Sequence, residues 1–198
     1  MLRHKAPASC SIVIDRDDRV HKRWSTIAAS GDSAGGNTLT AIHGDGIQFM
    51  RHYEFEGSEL VYCDPPYVMS TRRGGELYKH EMTNRQHQAL LDVLAGLRVP
   101  FLLSGYRSAM YDDAADRHGW YRQDFQAMTR RGVATESLWF NFEPPAERHD
   151  YRYLGTNFRE RERIKRKQAR WRTKLGKMPR TEQLAMMEVL RELTDHAL

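Results

Sequence analysis

Short apolar runs alternate along this chain with longer stretches whose apolar residues recur every three or four positions. Ser11 to Ile14 is a β-branched run that stops at Asp15, and a polar, helix-compatible stretch follows it to Ala29. A turn-rich segment from Ser30 to Asn37, with glycines at 31, 35 and 36, leads into a second run, Thr38 to Ile42, closed by His43-Gly44-Asp45-Gly46. A helix is expected over Ile47 to Tyr53. A third run, Glu59 to Cys63, ends at Asp64-Pro65-Pro66-Tyr67, and Val68 to Lys79 then reads as a loop. Thr83 to Leu97 predicts a helix, with Thr83 at its N-cap, Gln86 three residues on, and Leu90, Leu91, Leu94 and Leu97 on one face. Val99 to Leu103 is a fourth strand and Arg107 to Arg117 a weaker helix. Tyr121 to Met128 and Glu136 to Phe142 pair as a terminal antiparallel hairpin around Arg130-Arg131-Gly132. Beyond Pro144-Pro145 the composition turns basic, and a last helix opens at Pro179 and runs to Leu193.

Strands alternating with helices predict an α/β fold with a mostly parallel sheet, and such sheets bind ligands at the carboxyl ends of their strands. Three consecutive strands end in aspartate. Asp15, Asp45 and Asp64 are therefore expected around one crevice.

Composition narrows the class. The chain has 198 residues, enough for one domain with an appended segment, expected as 1–150 and 151–198. Its longest uninterrupted apolar stretches fall far short of the roughly 18 residues of a membrane span, and the start lacks a charged-then-apolar signal layout. Two cysteines, Cys10 and Cys63, without a CxxC or Cys/His cluster, argue for neither a disulfide framework nor a zinc site, and suggest a reducing cytoplasmic setting. The nine histidines show no ligand spacing, so no metal is expected. The net charge of +5 is unevenly spread. Phe158 to Lys177 holds ten basic residues and two acidic ones, Glu160 and Glu162, so this segment carries +8 and the rest of the chain −3. With Trp171 inside it, the segment reads as a phosphate-contacting helix, and Arg163, Arg166 and Arg170 share one face.

The sharpest chemical signal is Asp64-Pro65-Pro66-Tyr67. A double proline after a strand cannot continue a ladder, so a plain turn is the simplest account of it. A turn, however, does not require an acid before the prolines and an aromatic after them. A nucleobase amino group is a poor nucleophile because its lone pair is delocalised into the ring. Two acceptors, the Asp64 carboxylate and the Pro65 carbonyl, can take its two N–H hydrogens and leave the lone pair aimed at an electrophilic methyl. Proline holds its predecessor extended, which sets both acceptors in place. Tyr67 is placed to stack on a base turned out of the duplex.

The run Tyr62-Cys63-Asp64-Pro65-Pro66-Tyr67, with Ile12 to Asp15 upstream, Ser104-Gly105-Tyr106 after the next strand and Ser137 to Asn141 in the hairpin, resembles the DNA adenine-N6 methyltransferases of the Dam-like class. The likeness spans most of residues 8 to 175. It implies a Rossmann-like fold that uses S-adenosylmethionine (SAM) as methyl donor and double-stranded DNA as substrate. It also implies Asp64, Pro65, Pro66 and Tyr67 as the catalytic set, Asp15 on the ribose of SAM and Asp45 on its adenine. The stretch from Leu154 to Trp171 resembles the C-terminus of phage and prophage members, and the likeness leaves open an orphan methylase or a restriction-modification partner.

Two departures qualify the likeness. Members of the class open with an aromatic and glycine-rich strand that approaches the methionine part of SAM, and nothing before Asp15 matches it. The catalytic domain is therefore expected to be incomplete at its front, with a partner chain as one source of the missing motif. Dam itself also carries a target-recognition domain between the motifs that here hold Asp45 and Asp64, where this chain has only Gly46 to Cys63. Sequence choice is then expected from the Val68 to Lys79 loop, with Arg72 and Arg73, or from the basic tail. Cytosine-N4 or RNA amino groups, and an inactive DNA-binding remnant, stay open as alternatives.

Overall fold

The computed structural model describes residues 8–30, 37–72, 74–75, 77–129, 132–145, 151, 154–155 and 157–195. The chain divides into two compact units, Met1–Glu143 and Pro144–Leu198. Among the described residues, no helix is long and apolar enough to cross a membrane.

The first unit is mixed α/β. Strand β1 (Cys10–Asp15) leads into helix α1 (Asp18–Ala29), and β2 (Thr38–His43) returns parallel to β1. Helix α2 (Gly46–His52) then carries the chain to β3 (Val61–Cys63), α3 (Asn84–Gly96) and β4 (Phe101–Gly105), with β4 parallel to β3. Helix α4 (Ala109–His118) precedes the hairpin of β5 (Tyr121–Thr129) and β6 (Gly132–Phe140), and β6 runs antiparallel to both β4 and β5.

The strands form two sheets, β1-β2 and β3-β4-β6-β5, where the alternating pattern predicts one mostly parallel sheet. Periodicity marks which residues are strand but not which edges meet. The edge of β1 away from β2, and that of β3 away from β4, carry no strand partner among the described residues.

Local signals account for most helix ends. Thr83 and Gln86 form the reciprocal capping box of α3, and Asp17, Asp45 and Ser108 cap α1, α2 and α4 with their side chains. Gly119 closes α4 at φ +67°, a left-handed position that suits glycine.

Trp139, Phe101, Leu103, Leu91, Leu94 and Tyr111 are almost completely buried and join β4, β6, α3 and α4. Ridge residues Leu90, Leu91 and Leu94 supply the apolar stripe of α3, as their spacing predicts. The Trp139 indole stacks edge-on against Tyr111 at 5.0 Å, and its N–H donates to Asp112. His87 also lies wholly inside this core, its Nδ1 2.9 Å from the Tyr111 hydroxyl. By contrast, β1, α1 and β2 contribute no buried residue. Parallel strands are normally covered on both faces, so this half of the unit is thinly packed.

The second unit holds α5 (Phe158–Gly176) and α6 (Arg180–Asp195). Asn157 caps α5 by accepting the Glu160 N–H. Just before it Gly155 has φ +130°, and a Cβ there would lie 2.8 Å from the Arg161 nitrogen, so the entry into this helix needs glycine. All ten basic residues of the 158–177 segment belong to α5 or its C-cap.

Candidate active site

Asp64 stands at the carboxyl end of β3, exposed at its tip. Its position follows from the register. Tyr62 pairs with Leu102 and Cys63 with Leu103, so the next pair along the two parallel strands is Asp64 with Ser104. Alternation puts Tyr62 and Asp64 on one face of β3, and Leu102 and Ser104 on the matching face of β4. Ser104 is buried, and its hydroxyl donates to Asp64 Oδ1 at 2.8 Å. The Tyr62 hydroxyl in turn donates to Ser104 Oγ at 3.5 Å.

Tyr67 is half-buried, three residues beyond Asp64. Its hydroxyl donates to Glu136 Oε2 at 3.2 Å, and its ring meets Tyr106 edge-on at a centroid distance of 4.8 Å. Burial, with the nearby charges of Asp64 and Glu136, pushes the phenol well above its ordinary value, so Tyr67 is a neutral donor. Burial and the Asp64 charge push the Cys63 thiol up to about 12, which leaves it protonated and unreactive beside the site.

The loop after Tyr67 is closed by Glu81. This carboxylate accepts Arg72 Nη1 at 3.0 Å and Nη2 at 2.6 Å, together with the N–H groups of Leu77 and Tyr78. The Arg72 side chain is only 4% exposed, and its guanidinium lies 5.6 Å from the centre of the half-exposed Tyr78 ring. Arg72 therefore shapes this loop from inside, where the sequence suggests an outward contact to DNA. Arg73 lies outside the described residues, as do the glycines at 31, 35 and 36 and the hairpin residues Arg130 and Arg131.

The other two strand-tip aspartates are brought to the carboxyl ends of β1 and β2. Asp15 commits Oδ1 to the N–H of Asp17 at 2.7 Å. Asp45 accepts the N–H groups of Ile47 and Gln48 with Oδ1, and its Oδ2 pairs with Arg16. Lys79, from the loop after β3, pairs with Asp18 at 2.9 Å, which ties that loop to the first turn of α1. Arg163, Arg166 and Arg170 are exposed along α5. Among the described residues, no three His, Cys, Asp or Glu side chains come together as a metal site.

The arrangement is an exposed carboxylate oriented by a buried hydroxyl, followed by two prolines and a tyrosine held at ring and hydroxyl. It has the parts needed to accept hydrogens from a planar amino group. Residues 37–131 match the family model of the D12 class N6 adenine-specific DNA methyltransferases. The matched segment runs from the start of β2 through β5, and so contains Asp45, Asp64 to Tyr67, Arg72 and Ser104. No curated protein matches the chain. The D12-class match points to adenine methylation in DNA, in agreement with the resemblance read from Asp64 to Tyr67.

Sequence alone assigns no role to three residues of this site: Ser104, Glu136 and Glu81. Ser104 stands in the Ser104-Gly105-Tyr106 run, and the signal for its contact is that it follows the predicted fourth strand as Asp64 follows the third. Glu136 and Glu81 reach the site through the hairpin and the loop, and no local pattern marks them.

Proposed function

We propose that this chain transfers a methyl group from SAM to the N6 amino group of adenine at a specific sequence in double-stranded DNA. Residues 1–150 would form the catalytic domain, with a Rossmann-like arrangement, and 151–198 a basic helical extension. The observation that carries the reading is the Asp64-Pro65-Pro66-Tyr67 turn at a parallel strand tip, with Asp64 gripped by Ser104 and Tyr67 by Glu136.

The chemistry divides among these groups. Asp64 accepts one N–H of the target amine and the Pro65 carbonyl the other, so that the nitrogen lone pair points out of the base plane. Pro66 keeps the turn rigid, and Tyr67 offers its ring to the extruded base. The bound SAM supplies the methyl as a sulfonium electrophile. The methylated nitrogen then loses a proton readily, so no strong base is required.

Asp15 fits a role toward SAM, because it commits only one carboxylate oxygen and leaves the other for the ribose hydroxyls. Asp45 fits less well. Both of its oxygens are engaged, and contact with the SAM adenine requires release of Arg16.

A partner strand is part of the reading. Thr38 N–H donates to Ser9 and Gly44 N–H to Asp15, so alternation turns residues 9, 11, 13 and 15 toward β2. The peptide groups of Cys10, Ile12 and Ile14 then line the other edge. Val61 N–H donates to Pro100, so Tyr62 is turned the same way on β3. A further strand, parallel to both, would satisfy these edges and cover β1, α1 and β2, which hold no buried residue.

The test is incorporation of labelled methyl from SAM into duplex DNA, followed by digestion to nucleosides. N6-methyladenine as the product supports the reading. N4-methylcytosine, methylated RNA or no product in the presence of excess SAM refutes it.

A further inference from the structure

The geometry points to Ser104 as a positioning residue that selects which oxygen of Asp64 meets the target amine. The inference rests on the methylation reading and adds a residue to it. An ionised carboxylate on an exposed strand tip has two equivalent oxygens and a freely turning plane, and either feature would blur the alignment of an acceptor with an N–H. Ser104 removes both. Its hydroxyl has one proton, which goes to Asp64 Oδ1 at 2.8 Å. Oδ2 is left as the oxygen that faces the substrate. The serine is itself only 3% exposed, so water does not compete for that proton.

The hydroxyl is held in its turn. Ser104 Oγ accepts from the Tyr62 hydroxyl at 3.5 Å, which leaves its own hydrogen for Asp64. The order is Tyr62 to Ser104 to Asp64, each donating to the next, in a chain whose members polarise one another. Tyr62 stands on β3, Asp64 directly after that strand and Ser104 on β4, two register positions apart on one face, so the rigidity of the ladder is passed to the carboxylate. Strand hydroxyls on β6 take either kind of partner: Thr135 Oγ1 accepts from Gln126, while Ser137 donates to Asp124 on the neighbouring strand.

A group that only fixes the angle of an acceptor acts on the aligned complex, not on the binding of either substrate. Ser104→Ala is therefore expected to lower kcat about tenfold or more, the effect of one hydrogen bond to a charged group, with KM for SAM and Kd for duplex DNA within twofold of wild type. Ser104→Thr keeps the hydroxyl and is expected to recover most of kcat. Tyr62→Phe, at a half-exposed site that tolerates the change, leaves the Ser104 proton less well ordered and is expected to cost about threefold. Thermal melting of each variant shows whether the fold is intact. An unchanged kcat in Ser104→Ala overturns the inference, as does an equal loss in the Ala and Thr variants or a loss confined to KM. A wild-type chain that transfers no methyl overturns the methylation reading itself, which separates the two failures.

Discussion

Arg72 turns its guanidinium away from solvent and closes on Glu81, two residues before the capping box that starts α3. The pair joins the loop after Asp64-Pro65-Pro66-Tyr67 to the helix that brings Leu90, Leu91 and Leu94 into the core. Glu81→Gln removes the carboxylate charge from these hydrogen bonds to Arg72 and is expected to cost about 1.5–3 kcal/mol. The hydrogen bonds from Arg72 hold the Glu81 carboxyl down to about 2, below its ordinary value of 4.5. Its stabilising contribution is therefore full above the higher value and is lost as pH falls toward the lower one. Urea unfolding of wild type and Glu81→Gln should differ most near neutrality and converge as the pH falls through this window. A gap that stays constant down to pH 2 would show that the pair does not act in this way.

Asp64→Ala removes the charged acceptor from an exposed strand tip that contributes little to the core. Methyl transfer is expected to fall about 10²-fold or more, with thermal stability and DNA affinity nearly unchanged. Asp64→Asn keeps the shape, but with its one oxygen turned to Ser104 it presents an NH2 donor to the target amine. Its loss is expected to match that of the alanine variant. Rates of labelled-methyl incorporation for the two variants decide the matter. A wild-type rate in either variant would mean that the carboxylate is not an acceptor in the reaction.

The elements of the first unit were legible because each has a local cause. The leucines of α3 repeat at helical spacing, Thr83 and Gln86 announce its start, and the strands are short β-branched runs stopped by an acid or a glycine. The turn from Asp64 to Tyr67 was legible as a feature for the same reason, since two prolines between an acid and a tyrosine are a contiguous signal. What could not be read depends on register between distant segments. Ser104 meets Asp64 only because β3 and β4 pair Cys63 with Leu103, and Glu136 meets Tyr67 only because the hairpin folds back along β4. Arg72 looked like an outward cation because a charge in a polar loop usually is one. Its partner lies nine residues away and could not be chosen from several candidates by spacing.

Asp45 is both an N-cap and a suggested contact to SAM, and these roles compete. Asp45→Ala is expected to lower stability by about 1 kcal/mol through the lost cap on α2. Calorimetric titration of the isolated chain with SAM should give only weak binding, because β1, α1 and β2 offer little buried surface and Asp45 is occupied by Arg16. Asp15→Ala should reduce even that. Tight, stoichiometric binding by the isolated chain would show that these strand tips suffice and that no partner strand is needed.

Helix α5 can be tested separately from the Asp64 to Tyr67 turn. Arg163, Arg166 and Arg170 lie three and four residues apart, so they share one face and can follow one strand of a duplex. If they contact phosphates, their joint replacement by alanine should weaken binding to every DNA sequence alike. Each lost contact should also lower the slope of log affinity against log salt by about 0.9. Phosphate contacts carry no base information, so any preference for a target sequence should persist in the triple variant. Glu160 lies 3.7 Å from Arg163, a solvent-facing pair too weak to hold the arginine against a phosphate. Binding isotherms at several salt concentrations supply the slope. An unchanged slope would make α5 a solvated helix with no part in DNA binding, whereas a changed sequence preference would make it the element that reads the target.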